Sequence, residues 1–301
     1  MHWNATLVLG IERAGLIGVE MTGPGDQIPE AHTRLITRDS LVSCEEAFID
    51  CRLPGSTPKL NYSIIGPGVT QSAEQMVNLP EEHGFAIGAA AMPNGITNNL
   101  HIHYTAEVFM VFSGEWLFRW GANGDEGELI GRAGDVLSIP TWIFRGFTNV
   151  GDDTGWIFTV LGRDDTGGVI WHPDILRRAA ETGLYLRKDN MLIDVAGGAP
   201  MPDQADLLEP LSDAFIATLR HPTVAEMRAR VTTAAERAWS GRALLQAMLP
   251  GHTAALAPVI GWGMSQDRTV TPKVVNPHGF SVEWLRIEPG CALGPFRVAP
   301  K

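Results

Sequence analysis

Between residues 80 and 165, short apolar or alternating runs recur at regular spacing. They read FAIGAAAM, NLHIHY, VFMVFS, EWLFRW, DVLSIP and WIFTVLG, and turn sequences such as GANGDEG separate them. Runs of this length and period are typical of β-strands. Many short strands at even spacing indicate a sandwich or barrel. The pattern therefore predicts a mainly β fold with an antiparallel barrel over residues 80–165.

The segments outside the barrel are less regular. Residues 1–20 are apolar but lack a basic start, so we expect a disordered or non-native leader rather than a signal peptide or membrane span. Residues 21–79 mix apolar runs with Gly and Pro turns and predict an N-terminal arm with extra strands. Residues 166–275 predict an excursion with the helix DILRRAAETG, then a helical connector that includes HPTVAEMRARVTTAAERAW.

Composition and charge narrow the range of partners. The 301-residue chain is 45% hydrophobic and has a net charge of −11. It is long enough for one or two cores. A negative chain without a Lys or Arg run is not expected to bind nucleic acid or an anionic membrane. Three scattered cysteines, Cys44, Cys51 and Cys291, do not form a disulfide framework and favour a reducing, cytoplasmic location.

Two histidines and a carboxylate stand at the centre of the strand pattern, in NLHIHYTAEVF. On a strand, His101 and His103 project from the same face, and Glu107 follows four residues later. Two imidazoles and one carboxylate suit non-haem iron and similar divalent ions, and they leave coordination positions open for substrate. We predict one divalent ion (Fe, Mn, Zn or Ni). The alternative is a barrel interior whose polar side chains only hydrogen-bond to one another.

The same stretch resembles the cupin superfamily. The first cupin motif, G-x5-H-x-H-x3-E-x6-G, matches Gly95, His101, His103, Glu107 and Gly114. The second, G-x5-P-x-G-x2-H-x3-N, matches GDVLSIPTWIFRGFTN, except that Trp142 replaces a glycine and Arg145 replaces the last metal-binding histidine. The resemblance implies an antiparallel double-stranded β-helix (jelly-roll) barrel with a metal in its mouth. The missing fourth ligand predicts weak metal binding.

Arg145 leaves three alternatives open, because a guanidinium stays protonated and cannot ligate a cation. In the first, it is a catalytic residue that anchors the carboxylate of a substrate over the metal. In the second, it forms an ion pair with Glu107 that replaces the metal. In the third, a local shift turns it outward into solvent. The first alternative predicts a small anionic partner.

Aromatic residues alternate along two predicted strands. Trp116 and Phe118 lie on one and Phe147 on the other. Aromatics at this spacing belong to a barrel core or a dimer interface, or they form a ring-stacking wall around a substrate. We take these three as the candidate substrate pocket. Cupin barrels commonly pair, so the resemblance also implies a homodimer.

An internal repeat links the barrel to the end of the sequence. HGFAIGAAAMPNG begins at His83, and HGFSVEWLRIEPG begins 195 residues later, at His278. We predict that residues 276–301 start a second, truncated cupin unit of a two-barrel (bicupin) chain. Phe296 and Val298 would take the ligand positions, so this unit would hold no metal. Its leading strand would be disordered, lie on the first barrel or pair with another chain.

Three function classes remain for such a barrel. The sequence has no dinucleotide-binding glycine fingerprint, phosphate loop or serine nucleophile elbow. The first class is an Fe- or Mn-dependent dioxygenase-type oxidoreductase of a small organic acid, aromatic acids included. The second is a metal-dependent isomerase, lyase or decarboxylase of a sugar acid or an oxalate-like acid. The third is a non-catalytic, degenerate cupin that binds a small anion.

Overall fold

The computed structural model describes residues 5–12, 34–275 and 278–294, with the backbone alone for residues 5–12. The chain divides into two compact units, Val42–Ala234 and the pair of segments Met1–Leu41 and Ala235–Lys301. In the described ranges, no helix has the length and apolar character that a membrane span requires.

The larger unit, Val42–Ala234, is built mostly of short strands. In chain order they are β2 (Leu60–Ile65), β3 (Val77–Leu79), β4 (Phe85–Met92), β5 (Thr97–His103), β6 (Glu107–Ser113), β7 (Glu115–Trp120), β8 (Gly127–Arg132), β9 (Val136–Ile139), β10 (Arg145–Asn149), β11 (Gly155–Gly162), β12 (Val169–Trp171), β13 (Leu184–Leu186), β14 (Leu192–Asp194) and β15 (Val231–Thr232). Its α-helices are α1 (Pro173–Glu181), α2 (Asp213–Ile216) and α3 (Val224–Arg228).

Two sheets form the barrel. One has the strand order β12-β5-β10-β7-β8, and the other has the order β15-β9-β6-β11-β4-β2-β3. All neighbouring strands in these sheets are antiparallel except β2 and β3. Consecutive strands β4 to β11 alternate between the sheets in the manner of a double-stranded β-helix, apart from the β7–β8 hairpin. The predicted mainly β, cupin-type fold is confirmed.

The barrel is larger than the predicted range of residues 80–165. The arm predicted over residues 21–79 contributes β2 and β3 to one edge of the seven-stranded sheet. The excursion contributes β12, which pairs with β5. These additions matter for function, because β2 and β12 supply walls of the cavity described below.

The predicted helical connector is wrong over most of its length. The helix DILRRAAETG is present as α1, and His172 caps its N-terminus. In HPTVAEMRARVTTAAERAW, however, helix α3 covers only Val224–Arg228, and the chain then enters β15 beside β9. Val231 is buried in the barrel core. Burial and sheet pairing therefore outweigh the helix propensity of this alanine-rich segment.

The second unit contains a three-stranded sheet. Strand β17 (Phe280–Ile287) lies between β16 (Ala254–Ile260), which is antiparallel to it, and β1 (Ala5–Glu12), which is parallel. Of the predicted leader, Ala5–Glu12 forms this strand, and the rest lies outside the described residues. None of the three predicted outcomes for the leading strand is correct, because β17 pairs on both sides with strands of its own unit.

The repeat extends further upstream than the His-Gly-Phe triplet. Strands β2 and β4 are antiparallel neighbours, and so are β16 and β17, which lie 195 residues later. Gly66 N donates to Leu79 O at 2.8 Å, and Gly261 N donates to Val274 O at the same distance. The two units thus share a local backbone arrangement. The ligand-equivalent positions Phe296 and Val298 lie outside the described residues.

One position of the repeat differs strongly between the copies. The counterpart of Gly88 is Glu283, whose carboxylate is fully buried and accepts hydrogen bonds from Met264 N at 2.7 Å and Ser265 N at 3.1 Å. Burial raises the pKa of Glu283 to about 7, although the two backbone N–H groups favour its ionised form. A side chain therefore fills space in the second unit where the first has none.

Candidate metal centre

Strand pairing brings the candidate ligands together at one end of the barrel. His101 and His103 are the last inward-facing residues of β5, and Glu107 begins β6. Arg145 begins β10 and pairs with His101 in the β5–β10 ladder. All four side chains are buried. The ligand atoms of the two histidines and Glu107 lie within 4.8 Å of one another.

Backbone carbonyl groups set the orientation of both imidazole rings. Nδ1 of His101 lies 2.7 Å from Asn99 O, and Nδ1 of His103 lies 3.4 Å from Gly168 O. A carbonyl oxygen only accepts, so the shorter contact of His101, with Asn99 O, favours a proton on Nδ1 and a lone pair on Nε2. The contact of His103 acts in the same direction but is longer. Outer carbonyl contacts of this kind are the usual support of histidines that ligate metals.

The electrostatics of the site keep the histidines neutral and the carboxylate ionised. Burial lowers the pKa of His101 and His103, and the nearby Arg145 guanidinium lowers both further. Burial alone would raise the pKa of Glu107, but His103 and Arg145 outweigh it and bring that pKa to about 2. At neutral pH the group therefore offers two imidazole lone pairs and one carboxylate, the protonation states that metal binding requires.

The three side chains fit a divalent ion after a small contraction. Two ligands about 2.1 Å from one ion are at most about 4.2 Å apart, somewhat less than the 4.8 Å within which the ligand atoms lie. In the described part of the chain, no donor bonds to Nε2 of His101 or His103. The nearest polar contact of His103 Nε2 is Glu107 Oε2, an acceptor, at 3.6 Å.

Arg145 forms an ion pair with one oxygen of Glu107. Its Nε and one terminal nitrogen donate to Oε2 at 3.2 and 3.1 Å. The other terminal nitrogen contacts the carbonyl oxygens of His101 and Ile143 at 3.4 and 3.2 Å. The residue is buried, which contradicts the outward-facing alternative. Both contacts of Arg145 fall on Oε2, the carboxylate oxygen that also lies 3.6 Å from His103 Nε2.

The role of Arg145 as substrate anchor is not favoured by this geometry. The guanidinium does not line the cavity next to the metal ligands, although Glu107 does. Its hydrogen bonds with Glu107 and two backbone carbonyls occupy three of its nitrogen atoms. An anion in the cavity would have to displace these hydrogen bonds before it could bind to Arg145.

A small cavity opens beside the candidate ligands. Its water-accessible volume is about 50 Å³, and His101, His103 and Glu107 lie in its wall with the small residues Gly88 and Ala89. One water needs roughly 10–15 Å³ of such volume. The cavity therefore has room for only a few non-hydrogen atoms.

Only one of the three aromatic pocket candidates lines this cavity. Phe147 does so, whereas Trp116 and Phe118 are buried in the hydrophobic core. Phe118 packs against Phe109 and Phe147 with ring centroids 5.1 and 6.1 Å apart from them, respectively. The placement of Trp116 and Phe118 in a substrate pocket is corrected to the barrel core, where burying such side chains gives about 1.5–3 kcal/mol each.

A second polar group in the cavity wall, Lys59, is not apparent from the sequence pattern. Lys59 lies just before β2, is only 2% exposed and lines the cavity. Its Nζ donates to Asp50 Oδ1 at 2.6 Å and to Asn98 Oδ1 at 2.7 Å. Trp171, whose ring centroid lies 5.4 Å from that of His101, forms another part of the wall.

Trp142 has a left-handed backbone conformation, with φ of 59°, at the position where the second motif has glycine. A left-handed conformation costs an L-residue about 1–2 kcal/mol. Glycine avoids this cost, but its larger loss of conformational entropy on folding offsets part of the gain. We expect Trp142→Gly to be more stable than Trp142→Ala by about 0.5–1 kcal/mol in urea unfolding, since both lose the ring contacts with Tyr104 and Phe215. Equal stability of the two variants would show that the backbone relaxes.

No protein-family model matches the sequence, and a search of curated proteins finds no match either. Among solved structures, the chain is similar to an oxalate oxidase in complex with glycolate, at 26% identity and a TM-score of 0.28 over 31% of this chain and 48% of that one. It is also similar to a cupin-like protein from Thermotoga maritima, at 16% identity and a TM-score of 0.27 over 32% of this chain and 73% of that one. A protein with a double-stranded β-helix domain from Klebsiella pneumoniae is 19% identical to this chain, with a TM-score of 0.27 over 30% of this chain and 76% of that one. The alignment spans about half of the oxalate oxidase chain.

Proposed function

We propose that this chain, whose barrel belongs to the cupin superfamily by its strand topology and its first motif, is a metal-dependent enzyme of small organic acids. In this proposal His101, His103 and Glu107 hold one divalent ion. The observation that carries the proposal is the convergence of two imidazoles and one carboxylate, whose ligand atoms lie within 4.8 Å of one another, in the wall of a buried cavity.

The reaction class that we propose first is a dioxygenase-type oxidation with Fe or Mn. A bound ion of this kind would supply Lewis acidity and, as Fe(II), reactivity toward O2 at its open positions. His101 and His103 would be held in their ligating tautomer by the carbonyl groups of Asn99 and Gly168. The volume of about 50 Å³ favours a compact aliphatic acid over an aromatic one.

Two measurements test this proposal. Isothermal titration of the metal-depleted protein with Mn(II), and with Fe(II) under nitrogen, should show one site per chain. O2 uptake by the Fe(II)-loaded protein should then be stimulated by a member of a panel of two- to four-carbon acids. Turnover without O2 would point to the lyase or decarboxylase class, and the absence of any metal site would contradict the proposal.

A second candidate is a degenerate barrel in which Arg145 takes the place of the ion. The buried ion pair between Arg145 and Glu107, 3.1 Å long, favours it. Such a barrel would bind a small anion without catalysis. The two candidates differ in what happens when the arginine is replaced by the histidine of the second motif.

We expect Arg145→His to raise the affinity for Mn(II) by about 10-fold or more, since even outer-shell partners change metal affinity about 10–100-fold. The variant adds an imidazole beside His101 and releases Oε2 of Glu107. Isothermal titration measures the change. Arg132→His, at an exposed arginine paired with Glu115, is the matched control and should leave the affinity unchanged. Equal Mn(II) affinities of wild type and Arg145→His would favour the degenerate barrel.

A further inference from the structure

The loop that follows β2 has a close counterpart in the second unit. It reads GPGVTQ, and 195 residues later the chain reads GWGMSQ. The two glycines of each loop have left-handed φ angles, 66° and 62° in the barrel and 61° and 49° in the second unit. The strand registers agree as well, because Ser63 pairs with Gly88 and Pro258 pairs with Glu283. The two loops therefore present equivalent backbone N–H groups.

In the second unit, this loop holds a carboxylate. Glu283 is fully buried, and its two oxygen atoms accept hydrogen bonds from Met264 N at 2.7 Å and Ser265 N at 3.1 Å. A Cβ atom at Gly263 would lie only 2.4 Å from Glu283 Oε2, so the loop needs glycine there to admit the carboxylate. Backbone N–H groups that converge in this way are typical of anion-binding sites.

In the barrel, the loop has the same N–H groups but receives no carboxylate from the described residues. The strand position opposite the loop is Gly88, which has no side chain. A Cβ atom at Gly68, the counterpart of Gly263, would meet no described residue within 4 Å apart from its chain neighbours. Val69 N donates to no described residue, and Thr70 N has a single contact, 3.4 Å long, within its own loop. These four barrel residues all line the cavity.

We propose that the loop of the barrel binds the carboxylate of a small ligand through Val69 N–H and Thr70 N–H, as the equivalent loop binds Glu283. Buried backbone N–H groups are nearly always hydrogen-bonded, and an ionised acceptor gives the stronger hydrogen bonds. The inference names the groups that would hold the acid of the proposed function, but it does not require the metal ion. The two proposals can therefore fail separately.

Titration of the metal-depleted protein with acetate tests this inference, since acetate is small enough for a cavity of about 50 Å³. In protein with isotopically labelled valine, the NMR signal of the Val69 amide should shift downfield and saturate. The Val69→Met variant assigns this signal by its absence. Acetamide, which is similar in size but uncharged, should bind at least about 10-fold more weakly, because charge-assisted hydrogen bonds are roughly twice as strong as neutral ones.

Exchanging residues between the two units supplies the variants. Gly88→Glu places a carboxylate in the barrel at the position of Glu283, so it should bind acetate at least about 10-fold more weakly than the wild type, the loss expected when a charge already occupies the N–H groups. Glu283→Ala removes the carboxylate of the second unit, and equilibrium dialysis should then show one additional acetate per chain.

Gly88→Ala is the matched control for crowding, because a Cβ atom at this position would lie 3.2 Å from Thr159 Oγ1 and Tyr62 O. It should shift the Val69 amide with acetate as the wild type does, and circular dichroism checks the fold of each variant. A Val69 amide signal that acetate leaves unmoved in the wild type would overturn the inference. An unchanged acetate stoichiometry in Glu283→Ala would show that the loop does not bind a free carboxylate. Failure to bind Mn(II) would contradict the metal centre alone.

Discussion

Replacing His101 with alanine should lower the affinity for Mn(II) by more than about 100-fold. The loss of an outer-shell partner already costs about 10–100-fold, and His101 would supply one of only three protein ligands. His101 lines the cavity, and the contact of its Nδ1 with Asn99 O at 2.7 Å favours a lone pair on Nε2. Isothermal titration of the metal-depleted proteins measures the effect.

A histidine outside the cavity provides the control for this experiment. His221 is exposed and contacts Glu126 at 2.8 Å, so His221→Ala should bind Mn(II) like the wild type. Circular dichroism shows whether both variants keep the β-sheet signal of the parent. If His101→Ala kept the wild-type affinity, the ion would be bound elsewhere and the three-residue centre would be wrong.

The second large effect concerns stability. In the metal-free protein, Arg145→Met should lower the free energy of unfolding by about 3–5 kcal/mol, because it leaves the buried Glu107 carboxylate without its partner. The side chains of both residues are at most 5% exposed, and the ion pair is 3.1 Å long. Urea unfolding in the presence of EDTA, followed by tryptophan fluorescence, measures the loss.

Removing the carboxylate as well should reverse most of this loss. The double variant Glu107→Gln/Arg145→Met has no buried charge left at this position, and replacing both partners of a buried pair is often close to neutral. Saturating Mn(II) should also stabilise Arg145→Met more than the wild type, because the ion takes over the positive charge. An Arg145→Met protein as stable as the wild type would show that solvent reaches Glu107.

The metal ligands could be found from the sequence because their arrangement is local. His101 and His103 share a strand face by a period of two, and Glu107 opens the next strand. The ion pair of Arg145 was one of three alternatives, since its partner lies 38 positions away and is set by the pairing of β10 with β5. The sequence therefore predicts which side chains of one strand share a face, but not which residues of different sheets come into contact.

Lys59 shows why the rest of the site could not be predicted. A lysine before a strand is normally solvated, and nothing in its neighbourhood indicates burial. It is buried because Asp50 and Asn98, on separate segments, meet it inside the barrel. The predicted helical connector is wrong for a related reason. Its alanine-rich sequence favours helix, but the burial of Val231 and the pairing of Thr232 with Val136 decide its structure.

The two copies of the repeat differ in the side chain at one equivalent position, which is Gly88 in the barrel and Glu283 in the other unit. In the barrel, Gly88, Val69 and Thr70 all line the cavity. In the other unit, the carboxylate of Glu283 reaches across and bonds to Met264 and Ser265, the counterparts of Val69 and Thr70. In the second unit, the side chain of Glu283 therefore fills the space at this position. In the barrel, glycine at position 88 leaves this part of the cavity wall without a side chain.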